Sequence, residues 1–184
     1  MRIDAGMDTG EILLQREIPI GPRETAPELS IRMAEAGAPL MAETLRGLAA
    51  GTLQGRAQDH SEATYAPLLK KEDGRIDWTR SAEEIFDRML GFAPWPGAYT
   101  SFRGQTCHLW GEPISDQIGK GQINVKTEVA PGALFLEKNA LYVACGGATV
   151  LRVLTVKVEG RKQVSAAEFA NGARLMAGER FGNT

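Results

Sequence analysis

Apolar residues recur along this chain in two rhythms. Between residues 25 and 51 the spacing is helical: Leu29, Met33, Ala36 and Leu40 fall three or four apart, and Met41, Leu45 and Leu48 continue the pattern. Thr25-x-x-Glu28 is a capping box at its start, Pro27 is tolerated in a first turn, and Gly51 suits the position just past a helix end. Gly37 and Pro39 predict a break into two helices, with Met33 and Met41 used for packing. Ahead of this segment, Ile12–Ile20 has an apolar start followed by alternation, which predicts a strand. Residues 52–64 are polar and predict an extended path with room for one short strand.

From residue 81 onward the rhythm shortens. Ser81-x-x-Glu84 caps a helix that should bury Ile85, Phe86, Met89 and Leu90 and stop at Gly91. In Phe92–Gly97 two prolines flank Trp95, which favours a buried wedge over an exposed base-stacking surface. Ala98–Phe102 and Thr106–Glu112 then read as a hairpin across Arg103-Gly104-Gln105. A second hairpin joins Ala133–Glu137 to Ala140–Ala144 across Lys138-Asn139, after a long, mobile loop at 116–130. Thr149–Val158 alternates as one long strand. Ser165-x-x-Glu168 opens a last helix with Phe169, Ala173 and Met176 on one face and Gly178 at its close. Five or six short strands with a helix before and after suit a small barrel of the OB type. No internal repeat interrupts either half.

The two rhythms meet at Thr64–Trp78, TYAPLLKKEDGRIDW. This stretch is charged in the middle and apolar at both ends, and Asp73-Gly74 is a turn signal. It reads as a connector pinned to two bodies, or as a surface loop with two apolar contacts.

Composition narrows the class. Of 184 residues 43% are hydrophobic and 24% charged, as in globular proteins, and 21 glycines with 9 prolines supply turns. No apolar run approaches the ~20 residues of a membrane-spanning helix, and no apolar stretch follows Met1-Arg2-Ile3-Asp4 as a signal peptide requires. Cys107 and Cys145 lack CxxC spacing and read as buried thiols in a reducing compartment. His60 and His108 lack partners at metal spacing, so no metal is expected; His60 beside Asp59 reads as an exposed loop histidine. Charge is uneven: residues 1–64 carry 6 Lys+Arg against 10 Asp+Glu, and residues 65–184 carry 15 against 13. Basic residues of the second part, Lys70, Lys71, Arg75, Arg103, Lys120, Lys126, Lys157, Arg161 and Lys162, could face a polyanion or simply balance a solvated surface.

The one motif with catalytic potential is Asp8-Thr9-Gly10. Most such triplets are turns in which the Asp bonds nearby N–H groups. It is also the aspartic protease triplet, but that chemistry needs two carboxylates sharing a proton. A single copy occurs here, followed by Glu11.

The connector, together with DAGMDTGEIL at 4–13 and GFAPWPGAY at 91–99, resembles the methionyl-tRNA formyltransferase family, over essentially the whole chain but only the later part of such an enzyme. The resemblance implies an α+β chain: residues 1–60 as a remnant of an α/β Rossmann-like catalytic domain, 61–80 as a linker, and 81–184 as a small OB-like tRNA-binding domain. It implies a catalytic role for Asp8 and places Asp4, Ala5 and Gly6 at the edge of the site for 10-formyltetrahydrofolate. In such a reaction an Asn and a His stabilise the oxyanion, and the Asp orients the His and helps relay the amine proton. The Asn-x-His and Ser-Leu-Leu-Pro signatures do not occur in this sequence, so the chain alone should be inactive. The resemblance further implies contacts to initiator methionyl-tRNA, with Lys70, Lys71, Arg75, Arg161 and Lys162 as the best candidates, and a cytoplasmic protein without membrane contact. An exposed edge at Ile12–Leu14 makes self-association of the chain a further expectation. The rival readings are a formyltransferase acting on a nucleotide-sugar amine and a non-catalytic RNA-binding module.

Overall fold

Thr25 and Glu28 begin the longest element of the molecule as the capping box predicts: the Glu28 carboxylate accepts hydrogen bonds from the Thr25 N–H (2.8 Å) and hydroxyl (2.7 Å). The helix, α1, runs Ala26–Ala49 without interruption, and Gly51 follows it with a φ of 66°. The expected break at Gly37 and Pro39 does not occur. A proline removes one backbone bond, but no capping residue or turn signal lies between the two halves, so the helical pattern carries through. In this computed structural model residues 1–114 and 129–182 are described, so the loop expected at 116–130 lies, except for its last two residues, outside the described residues. The chain divides into two units, Met1–Leu68 and Leu69–Thr184.

The first unit contains α1 and a set of extended segments. Only Ile12 of the expected Ile12–Ile20 strand pairs, in an antiparallel bridge with Arg56 closed by two bonds of 2.9 Å. A strand needs a neighbour along its length, and among the described residues of this unit none runs beside Leu13–Ile20. Met33 and Met41, expected in packing, are 55% and 61% exposed, and α1 buries no residue.

The second unit is a mixed structure of helices and antiparallel sheet. α2, Ala82–Gly91, is capped by Ser81 and Glu84 and buries Ile85, Phe86, Met89 and Leu90 as the spacing predicts. The strands are β1 Tyr99–Phe102, β2 Gln105–Pro113, β3 Leu134–Glu137, β4 Ala140–Ala144, β5 Val150–Val158 and β6 Val164–Ser165. They pair in the order β1-β2-β5-β4-β3, with β6 on β5, and every pairing is antiparallel. Both expected hairpins form. Each turns on two residues with positive φ, Arg103 (48°) with Gly104 (76°) and Lys138 (45°) with Asn139 (67°), whose twist matches the flanking strands. α3, Ala166–Ala173, is capped by Ser165 and Glu168. It stops earlier than expected: Arg174 takes the left-handed conformation after it, and Met176 lies outside the helix and 69% exposed.

Alternation along β2 and β5 sends Cys107, Leu109, Val153, Val156 and Val158 into one core with Leu141, Val143 and Leu151. Trp78 enters the same core, stacks on Phe181 at 5.8 Å and donates its indole N–H to Thr100 (3.1 Å). Trp95, expected as a buried wedge, is instead 57% exposed, and Pro96 is the buried member of that segment. Both cysteines are buried free thiols, as expected, and burial pushes Cys107 up to about 11 and Cys145 up to about 12.

The strand path is open between β1 and β3. Residues 179–182 run across that gap: the Leu134 N–H donates to the Glu179 carbonyl (2.8 Å), and the Gly182 N–H donates to the Ser101 carbonyl (2.9 Å). Gly132 is required there, because its φ is 88° and an added Cβ would lie 2.6 Å from the Phe181 carbonyl oxygen.

Candidate functional site

The Asp8 loop is built by short-range bonds. Asp4 accepts through one oxygen from the Gly6 N–H (3.2 Å) and the Thr9 hydroxyl (2.7 Å), which folds residues 4–9 into one exposed turn. Asp8 itself has a φ of 55°. Gln58 clamps the loop from the other end of the unit's sequence, donating to the carbonyls of Asp8 (2.9 Å) and Gly10 (2.7 Å). Gly10 is buried against the Arg2 carbonyl, where an added Cβ would lie 1.9 Å from oxygen. The structure therefore brings Asp4, Ala5, Gly6 and Asp8 together in one turn, and Gln58 is a clamp on that turn that sequence reasoning missed.

Asp8 lines an open cleft of about 630 Å³ with Thr9, Ile12, Arg56, Gln58 and His60. Asp59 does not serve His60. Its carboxylate accepts from the Ser61 hydroxyl (2.7 Å) and N–H (2.8 Å), bonds that hold it below the usual carboxylate range. His60 stays exposed.

The basic residues divide differently from their order in sequence. Lys70 opens a short helical turn over Lys71–Gly74, its N–H bound to the Asp73 carboxylate (2.6 Å), and both lysine side chains are exposed. Arg75 leaves that turn in a parallel bridge with Tyr99 of β1. Arg161 and Lys162 occupy the exposed turn between β5 and β6, and the next residue, Gln163, lines a cleft of about 380 Å³ with His108, Trp110 and Lys157. Arg103 is engaged elsewhere, in an ion pair with Glu179 (2.7 Å) and a bond to the Ala173 carbonyl (3.0 Å). Lys120 and Lys126 lie outside the described residues. Sequence reasoning did not single out Tyr99 or Trp110, and it weighed His108 only as a metal ligand. The available signal was alternation: with Cys107 and Leu109 inward, His108 and Trp110 must take the other face of β2.

The mixed antiparallel unit falls within a known class: residues 68–174 match the family model described as formyl transferase, C-terminal domain. That match spans more than half of the chain, and the chain belongs to the formyltransferase family. Its relatives are more particular. It is 50% identical over 183 residues to the methionyl-tRNA formyltransferase of Solibacter usitatus, covering 99% of this chain and 55% of the relative. To the methionyl-tRNA formyltransferase of Koribacter versatilis it is 43% identical over 182 residues, again 99% and 55%. The chain thus spans about half the length of the curated relatives it matches. Among solved structures it is similar to HypX from Aquifex aeolicus in complex with tetrahydrofolic acid, with a TM-score of 0.58 at 17% identity over 92% of this chain and 29% of that one, a likeness of fold.

Proposed function

We propose that this chain is the later part of a methionyl-tRNA formyltransferase, a cytoplasmic enzyme that moves a formyl group from 10-formyltetrahydrofolate to the amino group of methionyl initiator tRNA. The observation that carries the reading is the 50% identity to such an enzyme over 99% of the chain, through both units. In this reading residues 1–60 belong to the catalytic domain, 61–80 to a linker and 81–184 to the tRNA-binding domain. An OB-like barrel for the last is supported by residues 179–182, whose bonds to Leu134 and Ser101 span the open side of the sheet.

The residues present fit one edge of a folate site. Asp4, Ala5 and Gly6 are exposed, and Gly6 holds bare backbone against Thr9, where an added Cβ would lie 2.1 Å from the hydroxyl. When bound, the folate supplies the formyl group. Asp8 then acts as the charge that orients a histidine and helps relay the proton leaving the amine, while Gln58 keeps the loop carrying Asp8 in place. Donors for the oxyanion are the family's Asn and His, whose motif this sequence lacks, so the 184-residue chain by itself transfers no formyl group. Lys70, Lys71, Arg75, Arg161 and Lys162 hold tRNA phosphates, which positions the acceptor without reading sequence. Isolated, the chain self-associates through the first unit, at the Ile12–Leu14 edge, where only Ile12 is paired.

The test is single-turnover formylation beside a tRNA-binding titration, in the full-length protein with wild-type sequence and with Asp8→Asn. The variant should bind tRNA normally and lose at least tenfold in rate. Near-normal turnover would return the triplet to an ordinary turn.

A further inference from the structure

The registers of three strands and the connector place four side chains in one row across the sheet. Arg75 bridges Tyr99, Tyr99 pairs with His108, and His108 pairs with Lys157. Because Cys107, Leu109, Val156 and Val158 point into the core, this row lies on the outer face. The Tyr99 and His108 rings are 5.8 Å apart. In the next row Trp110 pairs with Thr155, and Trp110 is backed edge-on by Phe86 at 6.4 Å. The cleft beside these residues is walled by Pro94 and Gly97 and ends at Gln163.

Some cations of this unit are held in ion pairs, and others, on this face and elsewhere, are not. Arg80, Arg103 and Arg152 each pair with a carboxylate. Among the described residues Lys71, Arg75 and Lys157 have no such partner. Partial burial, then Lys157 and Lys71, lower the pKa of His108, and Glu159 opposes them. Unpaired cations flanking aromatic rings on an outer sheet face are what a single nucleic-acid strand requires: charge for its phosphates and flat surfaces for its bases.

We propose that the row Arg75–Tyr99–His108–Lys157, with the adjoining cleft at Trp110, is a platform for an unpaired stretch of RNA, its phosphates on Arg75 and Lys157 and a base against the rings. The proposal rests on the reading that this unit holds tRNA and adds which part of an RNA the sheet face takes. It also assigns to Tyr99, His108 and Trp110 a role in holding unpaired bases, separate from the phosphate contacts of the lysine pair.

The full 184-residue chain is titrated with three probes: a single-stranded ribo-oligonucleotide, a blunt RNA duplex of equal charge, and initiator tRNA. The single strand should bind more tightly than the duplex and quench Trp110 fluorescence, an effect lost in Trp110→Phe. His108→Ala and Tyr99→Leu should weaken single-strand binding about tenfold or more with little change for the duplex, while Tyr99→Phe, which keeps the ring, should bind as wild type. His108 lies on the outer face of β2, away from the core, so its replacement should leave the core packed, and a thermal melt checks each protein. Equal losses for duplex and single strand, or no loss in either ring variant while tRNA still binds, would overturn the platform and leave the tRNA reading intact. Wild-type chain that binds the single strand but not tRNA would overturn that reading instead.

Discussion

The two units of this chain begin their helices by the same local device and finish differently. Thr25 with Glu28 in the first, and Ser81 with Glu84 and Ser165 with Glu168 in the second, each put a glutamate carboxylate on the N–H and hydroxyl of the cap residue. Yet α2 buries five residues and α3 three, while the 24-residue α1 buries none. Ile31, Ala34, Ala38, Met41, Leu45 and Leu48 follow one another at alternating steps of three and four along α1, and all are exposed. Such a stripe is the face a helix normally turns toward a core. Among the described residues of the first unit only Gly10 is buried, whereas the second unit holds every buried hydrophobic residue of the molecule. Helix initiation is thus decided within a few residues. Burial is decided by what else is present, and the relatives of this chain are about twice its length.

The contrast is broken most severely by emptying the core. Phe181→Ala should cost about 3–5 kcal/mol in denaturant unfolding, since Phe181 is fully buried against Trp78, Phe102 and Phe169. Leu45→Ala on the open face of α1 should stay within about 0.5 kcal/mol. A large cost at Leu45 would mean that the stripe is covered in solution. Next in size is RNA affinity. Lys70→Ala with Lys71→Ala should weaken tRNA binding and reduce the slope of log K against log[salt] by about 2, because each phosphate neutralised contributes about 0.9. The turn survives the change, since the bond to Asp73 comes from the Lys70 backbone.

Caps sharpen the comparison at a smaller scale. Ser81→Ala should cost the second unit about 1 kcal/mol of global stability. Thr25→Ala should lower the far-ultraviolet helical signal without moving the main unfolding transition. The smallest effect is that of pH. Burial first, and then Lys157 and Lys71, lower the pKa of His108. The unfolded chain therefore takes up the proton more readily than the folded one. Stability should be constant above about 6.5 and fall as pH drops from there through the folded pKa. His108→Gln should remove that decline.

What the sequence made legible was local. Both hairpins, the long strand β5 and the capping boxes of α1, α2 and α3 could be read from turn residues and period, because each is settled by neighbours in the chain. The errors share one cause. Ile12–Ile20 has the composition of a strand but no strand partner here beyond Arg56, Met33 and Met41 have the composition of core residues but no core, and Trp95 has the setting of a wedge but stays 57% exposed. The candidate sites divide in the same way. The Asp8 turn was visible as a motif, whereas the clamp from Gln58 spans 50 residues and has no local signature. The row across Arg75, Tyr99, His108 and Lys157 depends on strand order, since β2 pairs with β5 and not with the strands that follow it. Phe181 is one aromatic near the end of the sequence, and nothing beside it announces that it closes a core.

The central claim, that the second unit is a self-supporting RNA-holding body and the first is not self-supporting, is tested most directly by amide hydrogen exchange on the monomeric chain, with and without tRNA. The account predicts fast exchange over residues 1–60, slow exchange over 98–113 and 150–158, and tRNA-dependent protection confined to the second unit around Lys70–Ile76 and the outer face of β1, β2 and β5. Equal protection of the two units in a monomer, or a tRNA footprint falling on residues 1–60, would contradict it.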